Sequence, residues 1–280
     1  MESIELKANG FVFDALADGP ADGRLVVLLH GFPQTSWSWR KVMPSLAAAG
    51  CRVVAPDQRG YSPGARPEDV TAYGIRQLVA DAVGMLDALG ARTADIVGHD
   101  WGAAVAWQVA ARHPDRVRTL TPVSVPHPVA FVEALRTDED QRQRSAYMQF
   151  FRLVGEAEDA LLADDAALLR GVFGGQPGVD VDRYVALMRE PGVLTKCLNW
   201  YRAQDIANIR DVGPTTVPTL YVWSDGDAAL GPWAAHQTAS HVTAPYRFEV
   251  LSGISHWVPE EAPEQLATWI LEHLAAHHSA

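Results

Sequence analysis

The chain has 280 residues, enough for one large domain with an insertion or for two modest domains. A formal net charge of -11 without a basic patch excludes a nucleic-acid partner, because a polyanion would be repelled. No apolar run reaches the length of a membrane span, residues 1–5 lack signal-peptide character, and Cys51 and Cys197 alone make neither a disulfide framework nor a metal site, so a cytoplasmic protein with no membrane partner and no metal is expected.

Residues 4–7 and 11–16 read as strands joined by the hairpin signal Asn9-Gly10. Residues 25–29 form a continuous apolar run, suited to a strand buried on both faces of a parallel sheet. It leads into His30-Gly31-Phe32-Pro33, a tight loop whose backbone amides can face a ligand. A helix is expected over 37–49, a buried strand over 51–56, a loop over 57–62, and a helix over 75–89 that stops at Gly90. This strand–helix alternation implies an α/β fold with a mostly parallel, doubly wound sheet.

Residues 93–97 are short, apolar and β-branched, and 103–111 form an alanine-rich helix that ends near His113-Pro114. Between them stands Gly98-His99-Asp100-Trp101-Gly102, the strand–turn–helix pattern of a nucleophile elbow. Its usual central residue is serine; here it is Asp100. A carboxylate with a reference pKa of about 3.9 is ionised at neutral pH and can attack without a base. Attack on an acyl group would give a reactive anhydride. Attack on a saturated carbon with a leaving group gives an ordinary ester that water can cleave, so epoxides and alkyl halides are the expected electrophiles. The competing reading is a turn in which Asp100 merely caps the next helix.

A strand at 117–123 follows, and then the alternation stops: residues 127–211 hold helical stretches and no convincing buried strand. Strands return at 217–223 and 246–251, and a helix closes the chain over about 260–274. Pro126-His127-Pro128 and Gly213-Pro214 mark the ends of an insert, so the expected division is a core of residues 1–126 and 214–280 and a helical cap of residues 127–213 over the elbow. The loop after the strand at 217–223 offers Asp225 and Asp227, with Asp227 the better fit, and the loop after the last strand offers His256. Nucleophile, acid and histidine then occur in the chain order of the α/β-hydrolase triad. His256 is expected to activate water and Asp227 to hold its imidazole. His273, His277 and His278 read as solvated surface.

His30-Gly31-Phe32-Pro33, the elbow with Ala103 after it, Asp227 and His256 together resemble the epoxide hydrolase branch of the α/β-hydrolase superfamily, over nearly the whole chain. The resemblance implies an oxyanion hole from the backbone amides of Phe32 and Trp101. It also implies two lid tyrosines that hold and protonate the epoxide oxygen, matched by Tyr201 in Leu198-Asn199-Trp200-Tyr201-Arg202 and, less tightly, by Tyr147 in Tyr147-Met148-Gln149-Phe150-Phe151-Arg152. Substrate contacts are expected from His30, Phe32, Trp101, Phe150 and Trp257, with no cofactor and a small apolar or aromatic epoxide and water as reactants. The runner-up is a dehalogenase using the same triad, weakened because Phe32, Gln149 and Phe150 stand where halide-binding donors would be. A reading from another class is a non-catalytic binding module on a hydrolase scaffold, although such a scaffold should have lost part of this constellation. Ser224 departs from the pattern, in which glycine is common, and the oligomeric state, monomer or homodimer, stays open.

Overall fold

The structure is a computed structural model that describes residues 1–204 and 211–277. Strands β1 (Glu2–Ala8) and β2 (Phe11–Asp18) pair antiparallel across the Asn9-Gly10 turn. Both run longer than their apolar patterns, because ladder bonding carries them past the residues that face the core. With β3 (Arg24–Leu29), β4 (Cys51–Pro56), β5 (Ala94–His99), β6 (Val117–Val123), β7 (Thr219–Ser224) and β8 (Tyr246–Leu251) they form one eight-stranded sheet, ordered β1-β2-β4-β3-β5-β6-β7-β8. β2 meets β4 antiparallel, and every pairing from β4 across to β8 is parallel.

The apolar run of β3 is continuous because both faces of the sheet are covered. Leu25, Val27 and Leu29 pack toward α2 (Ile75–Ala88) and α3 (Trp101–Arg112). Val26 and Leu28 pack on the other face with Met43 and Leu46 of α1 (Met43–Ala48) and with Leu266, Ile270 and Leu274 near the chain's end. Burying each such side chain contributes roughly 1.5–3 kcal/mol. The chain passes from β4 across β3 to β5, so the carboxyl ends of β3 and β5 flank a topological switch point, where open α/β sheets bind ligands.

Residues 37–49 do not form the single helix expected of them. A 3-10 turn covers Ser36–Trp39 and α1 begins only at Met43, with Pro44 in its first turn, the position that tolerates a residue lacking an N–H. Between β6 and β7 lie α4 (Pro128–Thr137), α5 (Glu139–Arg144), α6 (Tyr147–Phe151), α7 (Glu156–Gly171, with non-helical backbone at 163–166), α8 (Val181–Met188) and α9 (Val193–Arg202). A short helix not foreseen in the sequence, α10 (Pro232–Gln237), joins β7 to β8. The closing helix is two, α11 (Val258–Glu261) and α12 (Pro263–Ala276), because Pro263 starts a new one.

Glu260 ties the helical insert to the sheet domain. Its buried carboxylate accepts hydrogen bonds from Gln34 Nε2 and from Tyr184 Oη of α8, both at 2.7 Å, and pairs with Arg40. His273 corrects the solvated-surface reading: it shares the inward face of α12 with Ile270 and Leu274, is 4% exposed, and is held neutral by burial, which lowers its pKa to about 4. His278 lies outside the described residues.

Candidate active site

Asp100 sits between β5 and α3 with φ 52° and ψ -123°, a conformation that costs a residue with a side chain on the order of 1–3 kcal/mol. The flanking glycines let the turn close. A Cβ at Gly98 would strike the Gly102 carbonyl, and one at Gly102 would strike the Leu29 carbonyl. Gly31 is needed for a different reason: its Cβ would occupy the space of the Asp100 carboxylate.

That carboxylate is buried and oriented. Oδ1 accepts the backbone N–H of Phe32 at 2.8 Å, and the Trp101 backbone N–H also hydrogen-bonds the carboxylate. Oδ2 lies 3.5 Å from His256 Nε2, and on the other side of the imidazole His256 Nδ1 donates to Asp227 Oδ2 at 2.7 Å. Burial pushes the Asp100 carboxyl up, but the His256 hydrogen bond and charge and the backbone donors outweigh it and hold the group below its ordinary range. Burial likewise opposes a charged His256, yet Asp227 and Asp100 raise its pKa to about 10. At neutral pH the resting site is therefore an imidazolium between two carboxylates.

Asp227 is the acid that reaches the histidine. Its Oδ1 accepts the backbone N–H groups of Ala229 at 2.7 Å and Leu230 at 3.0 Å, which leaves Oδ2 for His256. Asp225 is exposed and binds Gly253 N and Ser252 Oγ instead, pinning the turn after β8. The departure at Ser224 has a structural use: its buried Oγ donates to the Ser255 carbonyl at 2.8 Å, tying the end of β7 to the histidine loop. His99 donates from Nε2 to the carbonyl of His256 itself at 2.8 Å; burial lowers its pKa to about 4, so it remains neutral.

His30 does not touch the substrate space. It is fully buried, with Nδ1 donating to the Gly31 carbonyl at 3.1 Å and Nε2 accepting from Gln58 N at 3.0 Å. The ring orients the Gly31–Phe32 segment, and the expectation of a substrate contact there is corrected.

Tyr147 opens α6 and Tyr201 lies near the end of α9; their rings are 6.2 Å apart, edge to face, and each phenol acts on the other's titration. Burial pushes both phenols above their ordinary range. The Trp101 side chain packs edge to face on the Tyr201 ring, 5.1 Å between centroids, and acts to lower the pKa of its phenol. Asp100, Tyr147 and Tyr201 border two cavities at once. The larger, of about 280 Å³, is lined by Phe32, Phe150, Phe151, Leu161, Leu168 and Trp257. The smaller, of about 70 Å³, is lined by Ile75, Trp101, Val125, Phe131, Met148 and Leu230. Of the expected substrate contacts, Phe32, Phe150 and Trp257 thus face the larger arm and Trp101 the smaller. Leu161, Phe131, Met148 and Leu230 were not foreseen, since each is an ordinary apolar residue whose part in a wall depends on how the helices dock.

The alpha/beta hydrolase fold family matches residues 24–263. Among curated relatives, the AB hydrolase superfamily protein YfhM of Bacillus subtilis is 34% identical, with 96% of each chain covered. Epoxide hydrolase A of Mycobacterium tuberculosis is 33% identical, with 95% of each covered. Among solved structures, one of a group of epoxide hydrolases from metagenomes of hot environments is 30% identical and superposes with a TM-score of 0.88 over 99% of both chains. The chain belongs to the α/β-hydrolase fold family, in the branch that includes the epoxide hydrolases.

Proposed function

We propose that the protein hydrolyses an epoxide to a vicinal diol through a covalent ester on Asp100. The observation that carries the reading is a carboxylate at the elbow facing two buried phenols across an apolar cavity, with an imidazole behind it. Asp100 Oδ2 attacks one epoxide carbon, the C–O bond breaks, and the departing oxygen takes a proton from the Tyr147–Tyr201 pair. An alkoxide is a strong base, and phenols whose protons are held tightly by burial still donate to it.

Ester formation also resets the histidine. Once Asp100 is neutral, one of the two charges that raise the His256 pKa is gone, and the imidazolium gives up its proton. The proton returns through solvent to the phenolate left on the tyrosine pair, and the neutral ring becomes a base. It then takes a proton from the water that attacks the ester carbonyl. The developing oxyanion is Oδ1, already held by the Phe32 amide, with the Trp101 amide acting on the same carboxyl group. Collapse breaks the bond between the carbonyl carbon and the diol oxygen, and that oxygen takes the proton from His256. The new Asp100 carboxyl gives its own proton back to the imidazole, which frees the diol and restores the resting carboxylate and imidazolium.

Residues 127–213 act in this reading as the cap that brings Tyr147 and Tyr201 over a core of residues 1–126 and 214–280. The unequal arms suit an apolar epoxide with one bulky or aromatic substituent and one small one. Among the described residues no helix is long and apolar enough to cross a membrane. Cys51 and Cys197 are buried and unpaired, in keeping with a reducing cytoplasm. Dehalogenation is disfavoured: the Trp101 side chain is engaged by Tyr201, and Gln149 is exposed and outside both arms.

The experiment is a rapid-quench comparison of Tyr147→Phe, Tyr201→Phe and the double variant on styrene oxide. Loss of one donor of this kind costs on the order of 10²–10³-fold, softened in each single variant by the remaining phenol. The double variant is expected to fall much further, with the whole loss in ester formation. Unchanged ester formation in the double variant would remove the tyrosines from the mechanism.

A further inference from the structure

The loop that carries Asp227 is gripped from above by α5. Gln141 is fully buried, and its amide makes three hydrogen bonds. Nε2 donates to the Ala229 carbonyl at 2.8 Å and to Ser145 Oγ at 2.9 Å, while Oε1 accepts Gly231 N at 2.8 Å. Three residues further along, Arg144 Nη1 donates to the carbonyl of Asp227 itself at 2.5 Å, with its Nε on Asp140. The two ends of this strut are the two chemical devices of the site. On one side, Ala229 and Leu230 supply the amides that fix Asp227 Oδ1 and so aim Oδ2 at His256. On the other, Ser145 stands two residues before Tyr147, in the turn that leads from α5 into α6.

We infer that Gln141, with Arg144 beside it, is a positioning residue that holds the phenol of the ester-forming step and the acid of the water-activating step in one frame. It touches neither substrate nor reacting atoms. A glutamine can do this where a leucine of similar size cannot, because the Ala229–Gly231 segment presents one carbonyl and one N–H that only an amide satisfies together. The inference rests on the ester mechanism proposed above.

The test uses the full chain and styrene oxide, with single-turnover rates of ester formation and of ester hydrolysis measured separately. Gln141→Leu keeps the volume and removes all three bonds; each step is expected to slow about tenfold or more, as the loss of buried hydrogen bonds implies. The pH dependence of hydrolysis supplies a readout that simple loosening of the fold would not move. The titratable groups facing His256 are Asp227, Asp100 and His99, and in the ester form Asp227 is the one charge left to support the imidazolium. A slackened Asp227 lets His256 lose its proton more easily, so the rising limb of the hydrolysis profile should move to lower pH. Ser145→Ala cuts the link toward Tyr147, at a position that also borders the smaller cavity. With styrene oxide saturating, it should slow ester formation while leaving hydrolysis and its pH limb in place, and this variant decides the matter should Gln141→Leu fail to fold. Wild-type rates and an unmoved limb in Gln141→Leu, or wild-type ester formation in Ser145→Ala, would overturn the inference. If wild-type protein forms no ester at all, the covalent reading itself is wrong, and this inference falls with it.

Discussion

Asp100→Ala is expected to lose diol formation by on the order of 10⁴–10⁶-fold, the scale seen when a covalent nucleophile is removed. No neighbour can replace it. Asp227 is on the far side of His256, with one oxygen held by two backbone amides and the other by the imidazole. The fold should survive, because α3 and β5 are anchored by apolar contacts and by parallel pairing on both sides of β5, not by the carboxylate. The truncation leaves the Phe32 amide without its protein acceptor, a cost of about 1–3 kcal/mol if water does not take the place, and it also removes a buried negative charge. Circular dichroism and melting should show a folded protein, and turnover should be at background. Residual activity within a hundredfold of wild type would place the nucleophile elsewhere.

His256→Gln is expected to separate the two steps. Ester formation needs an ionised Asp100 and the phenols, and those remain. Hydrolysis needs a base, and general-base catalysis is worth typically 10²–10⁴-fold. The ester should therefore accumulate, and intact-protein mass spectrometry after addition of styrene oxide should show a mass increase of one substrate molecule on most of the protein. Peptide mapping should put it on Asp100. One side effect runs the other way: without the imidazolium, part of what holds the Asp100 carboxyl below its ordinary range is lost, so ester formation should weaken at acidic pH sooner than in wild type. A variant that turns over normally, with no adduct, would mean that His256 is not the base.

The features that were legible in the sequence are those written into short, contiguous stretches. The elbow is one, since its glycines are demanded by backbone collisions within a few residues of Asp100. The order of Asp100, Asp227 and His256 is another, because each follows a strand whose apolar pattern marks it. The choice of Asp227 over Asp225 already required more than spacing; it turns on which carboxylate receives the Ala229 and Leu230 amides and which the Gly253 amide. What depends on docking was not legible. His30 looks like a pocket residue from its motif, yet its ring is consumed by Gly31 and Gln58. The division of the cavity into two arms comes from α4, α6 and α7 meeting the loops after β6 and β7, and no local pattern encodes that meeting. His273 was misread for the same reason, because a histidine near a chain end carries no sign of the helix face it will occupy.

The most direct test of the two-step chemistry is where a water oxygen goes first. In a single turnover in heavy-oxygen water, with enzyme in excess, hydrolysis at the ester carbonyl puts the label into the Asp100 carboxylate and leaves the first diol formed unlabelled. Mass analysis of the peptide containing Asp100 should show the label before any appears in product. Label found wholly in the first diol, with none in Asp100, would contradict the covalent ester and with it the assignment of Asp100 as nucleophile.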